Sequence, residues 1–193
     1  MSGPNFHVVL HEPEIPNNTG NIGRTCIATG CSLHLVHPLG FDTSEKALRR
    51  AGLDYWPRLG VIEHTNWDEY LSLPAESSSG PAPDPRRWLF TTKATRSLWD
   101  AQFRTGDHLV FGKETRGLPD SLLAAHADRL LTLPMVPGER SLNLATAVCA
   151  AVYEALRQCV GRGEILADAT GRISGPRRSP PPSATSPTGS VTS

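Results

Sequence analysis

Three polar, glycine-bearing stretches hold the residues best suited to chemistry. Asn17-Asn-Thr-Gly-Asn-Ile-Gly-Arg24 follows an apolar run; Gly20 and Gly23 permit close backbone approach, and Arg24 falls about one turn into an expected helix. Gly112-Lys-Glu-Thr-Arg-Gly-Leu-Pro119 also follows an apolar run; its two glycines free the backbone while Glu114 and Arg116 supply charge. Leu133-Pro-Met-Val-Pro-Gly-Glu-Arg140 is a turn-rich loop that delivers Ser141 and Asn143 to a helix N-terminus. Free N–H groups and the positive end of the helix dipole make such a place a ready polar site.

Several familiar chemistries do not fit these stretches. The first lacks the G-x-G-x-x-G order, and the strand after it ends at His37-Pro38 with no acid to hold a ribose, which disfavours a nicotinamide enzyme. In the second, lysine follows the first glycine directly, so it is no phosphate-binding Walker loop. His7 with His11, and His34 with His37, have no carboxylate at ligand spacing, so satisfied or exposed imidazoles are expected and no metal. No serine sits in a G-x-S-x-G elbow.

The elements that must position these loops read as alternating strands and helices. Strands are expected at Phe6 to Leu10, Leu33 to Val36, Gly60 to His64, Trp88 to Thr92, His108 to Gly112 and Leu130 to Leu133. Helices are expected at Gly20 to Thr29, around Ala47 up to Gly52, at Trp67 to Leu71 and at Pro119 to Ala125. The longest spans Ser141 to Arg157, where Leu144, Val148, Ala151, Val152, Ala155 and Leu156 form one apolar stripe, with Ser141 as a natural N-cap. Its alanines leave room for another backbone to come close. This alternation predicts an α/β fold with a mostly parallel sheet and helices on both faces, whose ligands bind at the carboxyl ends of the strands. All three polar stretches lie there.

With 193 residues, one domain over 1–160 is expected, carrying a flexible Pro/Ser-rich insertion at 74–86 and followed by a disordered Pro/Ser/Thr-rich tail at 161–193. The formal charge of zero requires any nucleic-acid contact to be a local patch; Lys46, Arg49, Arg50 and Arg58 form one basic group, and Arg86, Arg87, Lys93 and Arg96 another. Cys26, Cys31, Cys149 and Cys159 show no paired spacing and read as reduced packing residues, as in a cytoplasmic protein. No apolar run is long enough to cross a membrane, and the N-terminus does not resemble a signal peptide.

Taken together, Asn18-Thr-Gly-Asn-Ile-Gly-Arg24, Phe111-Gly-Lys-Glu-Thr-Arg-Gly-Leu-Pro119 and Leu133-Pro-Met with Ser141-Leu-Asn143 resemble the three signature motifs of the SPOUT class of RNA methyltransferases. Glu12-Pro-Glu-Ile-Pro16 and Leu48-Arg-Arg-Ala-Gly-Leu-Asp-Tyr55 are similar to segments of its TrmL-like tRNA 2'-O-methyltransferases, which modify the wobble nucleotide, cytidine or uridine, of the anticodon. The resemblance covers Phe6 to Gln158. It implies a deep C-terminal trefoil knot, a homodimer packed through the first and last helices, and S-adenosyl-L-methionine as methyl donor, with S-adenosyl-L-homocysteine as product.

The same resemblance implies site residues. The cofactor would be held by Phe90, Thr91, Gly112, Glu114, Gly117, Leu133, Met135, Ser141 and Leu142. Arg24 would be the central catalytic group, with Asn21, Glu114, Ser141 and Asn143 as its polar surroundings. Glu114 would either orient Arg24 through a bidentate pair or anchor its own loop. Arg24, Lys46, Arg49, Arg50 and Arg58 would contact tRNA. The alternatives are action on ribosomal RNA, or RNA binding without turnover.

Overall fold

The computed structural model describes residues 3–44, 55–72 and 85–176, with no account of the side chains of 174–176. Six strands, β1 (His7–His11), β2 (Ser32–Val36), β3 (Ile62–His64), β4 (Arg87–Phe90), β5 (His108–Phe111) and β6 (Leu130–Leu131), form one sheet in the order β3-β2-β1-β5-β4-β6. Every pairing in it is parallel. Continuous apolar runs such as Val8-Val9-Leu10 are fully buried because helices cover both faces.

Strand alternation sends neighbouring residues to opposite layers. Val8, Leu10, Leu33, Leu35, Phe90 and Phe111 pack in a layer that includes residues of helices α1 (Pro16–Thr29) and α5 (Leu144–Gly161), while Val9, Val36, Leu89 and Val110 pack with α3 (Trp67–Leu71) and α4 (Asp120–Ala125). A single turn, α2 (Trp56–Leu59), closes against α1, where a Cβ on Gly23 would lie 2.9 Å from Leu59.

The helix boundaries differ from the sequence expectation in ways that matter for the site. Helix α1 starts at Pro16, four residues earlier than Gly20, because proline at the first helical position needs no N–H partner and has its φ already set. The N-cap of α5 is Asn143 instead of Ser141: its Oδ1 accepts from the N–H groups of Ala145 and Thr146 at 2.9 and 3.3 Å. Ala151 and Ala155 are fully buried within the single chain, so the small residues of α5 already serve its contact with α1. Strands β4 and β6 end early, leaving Thr91, Thr92 and Leu133 in loops.

Secondary structure continues past 160 as far as 176, where the sequence reading expects a disordered tail. Strands β7 (Ile165–Ala167) and β8 (Ile173–Pro176) make an antiparallel hairpin against the end of α5. Ile165 is its buried anchor, an apolar residue that composition averaged over a polar segment conceals. Residues 177–193, most of the 74–86 insertion and the expected helix around Ala47 lie outside the described residues.

On the α3 side of the sheet, imidazoles of β1, β2, β3 and β5 join one another. His7 Nδ1 lies 2.8 Å from Ser32 Oγ and 3.0 Å from His34 Nε2, and His34 Nδ1 lies 3.0 Å from His64 Nε2. The Tyr70 hydroxyl meets His108 Nδ1 at 2.7 Å, and His108 stacks on His7 with ring centroids 4.2 Å apart. Burial, then neighbouring imidazoles, holds His34 down at about 3 and His108 at about 2, so both are neutral.

Candidate active site

A cavity of about 480 Å³ opens at the carboxyl ends of β4, β5 and β6. Phe90 and Phe111, at the ends of β4 and β5, stack with centroids 4.5 Å apart and form an apolar wall. Leu133, Met135 and Leu142 add further apolar surface, while Thr91, Glu114, Ser141 and the backbone of 112–117 bring polar atoms. Size and lining suit a ligand with a flat apolar part and several hydrogen-bonding groups. Arg116 and Arg140, both exposed, also line it.

The 112–117 loop is tight because glycine permits it. Gly117 has φ +68 and its N–H returns to Lys113 O at 2.9 Å. A Cβ on Gly112 would sit 2.2 Å from the Gly117 carbonyl carbon and 2.3 Å from Leu118 N, so no other residue fits this turn as built.

One hydrogen-bonded chain joins the three motif loops. Glu114 accepts from Glu14 N at 2.9 Å, Ile15 N at 3.3 Å and Asn18 Nδ2 at 3.0 Å. Asn18 Oδ1 in turn accepts from Asn143 Nδ2 at 2.9 Å, although the two lie 125 positions apart. Both functions of the Asn18 amide are thereby used. The α1 N-cap position, Ile15, has no capping side chain of its own, and the Glu114 carboxylate places negative charge at that end of the helix instead.

All nine expected cofactor residues, Phe90, Thr91, Gly112, Glu114, Gly117, Leu133, Met135, Ser141 and Leu142, line this cavity, together with Asn143. Arg24 and Asn21 do not. Both are exposed on α1, and the Arg24 guanidinium lies 4.9 Å over the Tyr55 ring, whose hydroxyl donates to Gly20 O. The Glu114 carboxylate is engaged by the start of α1, so of its two expected uses the structure shows loop anchoring, without the bidentate pair to Arg24. Asn18 was missed as a site residue, although it opens the first motif. Arg58 is exposed on α2, while Lys46, Arg49 and Arg50 lie outside the described residues.

Comparison with known proteins places the chain in a family. The model of the SpoU rRNA Methylase family matches residues 5–153. A Saccharophagus degradans protein named tRNA (cytidine(34)-2'-O)-methyltransferase is 49% identical over 154 residues, 79% of this chain and 95% of that protein. A solved structure described as giving insights into the 2-OH methylation of C/U34 on tRNA shares 46% identity, covers 81% of this chain and 97% of its own, and superposes with a TM-score of 0.72. The SpoU methyltransferase AviRb of Streptomyces viridochromogenes, solved in complex with AdoMet, covers 81% of this chain and 59% of its own at 24% identity and a TM-score of 0.70, a likeness of fold alone.

Proposed function

The chain belongs to the SpoU rRNA Methylase family, and from that premise we propose that it transfers a methyl group from S-adenosylmethionine to the ribose 2'-hydroxyl of the wobble nucleotide, cytidine or uridine, in tRNA. The observation that carries this reading is the meeting of three distant loops at one cavity, joined through Glu114, Asn18 and Asn143. The substrate follows from similarity along nearly the full length of a tRNA (cytidine(34)-2'-O)-methyltransferase. A tRNA substrate fits a cytoplasmic setting, and among the described residues no helix is long and apolar enough to cross a membrane. The knotted path of the C-terminal chain belongs to the same reading.

When bound, S-adenosylmethionine supplies an electrophilic methyl group on sulfur, leaving S-adenosylhomocysteine. Phe90, Phe111 and Leu133 offer walls for its adenine, and the 112–117 backbone and Ser141 offer hydrogen bonds. With the electrophile provided, the protein's task is alignment and charge stabilisation. Arg24 stabilises negative charge developing on the ribose oxygen and holds a phosphate; a guanidinium stays protonated and is no general base, so the hydroxyl proton passes to water or to a phosphate oxygen of the RNA. Asn21, on the same exposed helical face, assists in seating the RNA. Glu114, Ser141 and Asn143 hold the loops and cofactor around the reacting atoms.

Arg24 lies outside the cavity of its own chain, so the site is complete only when a second copy supplies it. The amino ends of α1 and α5 both line the cavity, and Ile15, at the N-cap of α1, and Tyr153, on α5, are 44% and 55% exposed. A homodimer packed through α1 and α5 covers these residues and brings one α1 past the other cavity. Arg58, with Lys46, Arg49 and Arg50, extends the tRNA contact.

Two experiments test the reading. Nucleoside mass spectrometry of tRNA from a strain lacking the gene should show loss of a wobble 2'-O-methylated nucleoside that the purified protein restores; an unchanged nucleoside profile refutes the substrate. Mixing Arg24→Ala with Gly112→Val chains should regain methyl transfer, because one hybrid site then holds both an intact cavity and an intact Arg24. No recovery in proven mixed dimers refutes the shared site.

A further inference from the structure

Two loops separated by about a hundred residues are fastened to each other in both directions. Glu114 holds the backbone N–H of Glu14, and Glu14 holds the next residue of the opposite loop: its carboxylate accepts from Thr115 N at 3.1 Å and from Thr115 Oγ1 at 2.8 and 3.0 Å. Glu12 adds a second tie, with Oε2 2.6 Å from Lys113 Nζ and both side chains only 25% exposed. Glu12 and Glu14 do not line the cavity, so their carboxylates serve the loop and do not touch a ligand there.

The β1–α1 turn is built to hold these acids still. Glu12 has φ +51, the sole positive value at a non-glycine among the described residues. Such a conformation persists only where its surroundings dictate it. Its N–H donates to Val36 O at 2.8 Å, and Gly40 N donates to Pro13 O at 2.9 Å. Gly40 closes the other side: a Cβ there would stand 2.7 Å from the Glu14 backbone. The turn cannot withdraw from the 112–117 loop without breaking these contacts.

We propose that Glu14 is a positioning residue for methyl transfer, tying the cofactor loop through Thr115 to the start of α1, the helix against which the second copy packs when it brings its own Arg24 to this cavity. The proposal rests on the methyltransferase reading above. Glu12 with Lys113 is the second fastening. Cutting the Glu14 tie leaves the cavity walls and the Glu114 bonds in place, so the cofactor still binds, but donor and acceptor lose their fixed alignment. A misplacement near 1 Å costs on the order of 100-fold in rate.

The test uses the full chain with Glu14→Ala, Glu14→Gln and Thr115→Val. Calorimetry gives Kd for S-adenosylmethionine, kcat is measured at saturating tRNA and cofactor, and hydrogen exchange follows the amides of 113–117. For Glu14→Ala we expect kcat to fall about 10- to 100-fold, Kd to stay within about threefold and loop exchange to quicken. Glu14→Gln keeps an oxygen for the Thr115 N–H and should return kcat to within about threefold of wild type; Thr115→Val, losing only the hydroxyl bonds, should fall between. The proposal is overturned by wild-type kcat in Glu14→Ala, by a Glu14→Gln variant as slow as alanine, or by Kd weakening as far as kcat falls. A wild-type protein that methylates no tRNA refutes the functional reading instead, and the exchange measurement still judges the tie: unchanged loop exchange in both Glu14→Ala and Thr115→Val overturns it.

Discussion

Acidification between pH 6.5 and 5 should destabilise this protein through the imidazoles of β1, β2, β3 and β5. His34 and His108 are held at about 3 and about 2 by burial and by neighbouring imidazoles, against about 6.5 in an unfolded chain. Folded-state values below unfolded ones mean that the unfolded chain binds more protons in this window. Stability is therefore complete above pH 6.5 and is lost as pH falls toward the folded values. At pH 5.5 keeping the two imidazoles neutral costs about 3 kcal/mol together, and about 4 kcal/mol at pH 5. Total stabilities of about 5–15 kcal/mol make that a large share.

Other groups near the network act in known directions. His64 is lowered by burial and shifts stability in the same sense, opposed by the nearby Glu69 carboxylate, while Arg87 works with burial to keep His108 neutral. Tyr70 donates or accepts at His108 without changing charge. Urea unfolding followed by circular dichroism at pH 7.5, 6.5, 5.5 and 5.0 measures the loss, and His34→Asn, which keeps hydrogen-bonding capacity, should remove roughly half of it. A loss below about 1 kcal/mol between pH 7.5 and 5.5, or an undiminished slope in His34→Asn, refutes the reasoning.

Gly112→Ala places a Cβ 2.2 Å from backbone that cannot rotate away, so it should cost about 1–3 kcal/mol and weaken S-adenosylmethionine binding at least about 10-fold, read by thermal unfolding and calorimetry; binding within twofold of wild type would show that the loop opens freely. Asn143→Ala removes both the α5 cap and the bond to Asn18 and should lower stability by about 1–2 kcal/mol in urea, whereas Asn143→Asp keeps the cap, loses the donor to Asn18, and should recover about half. Arg58→Ala should weaken tRNA binding a few-fold and reduce the salt slope of log Kd by about 1; an unchanged slope places the phosphates elsewhere.

Local patterns made much of the frame legible. Short apolar runs bounded by turn residues located the strands closely, and the periodic stripe from Leu144 to Leu156 located α5, because burial on one face imposes a period that a linear sequence displays. The helix starts were less legible. Pro16 reads equally as a loop residue or as a first helical residue, and Ser141 and Asn143 are both good caps; the choice depends on which side chain another segment leaves free, and Asn18 settles it by accepting from Asn143.

The amino-acid sequence by itself determined the alternating α/β frame and the three loops bearing chemistry, since each is written in residues close together along the chain, and the cavity-lining residues followed from the family resemblance those loops carry. Tertiary structure alone decided that Glu114 serves α1 and leaves Arg24, that Asn18 bridges the motifs, that Glu14 reaches Thr115, and that His7, His34, His64 and His108 join in one network in which His34 and His108 are held neutral. Those choices depend on side chains from segments far apart competing for the same few donors and acceptors, and burial makes an unmatched partner costly enough to fix the outcome.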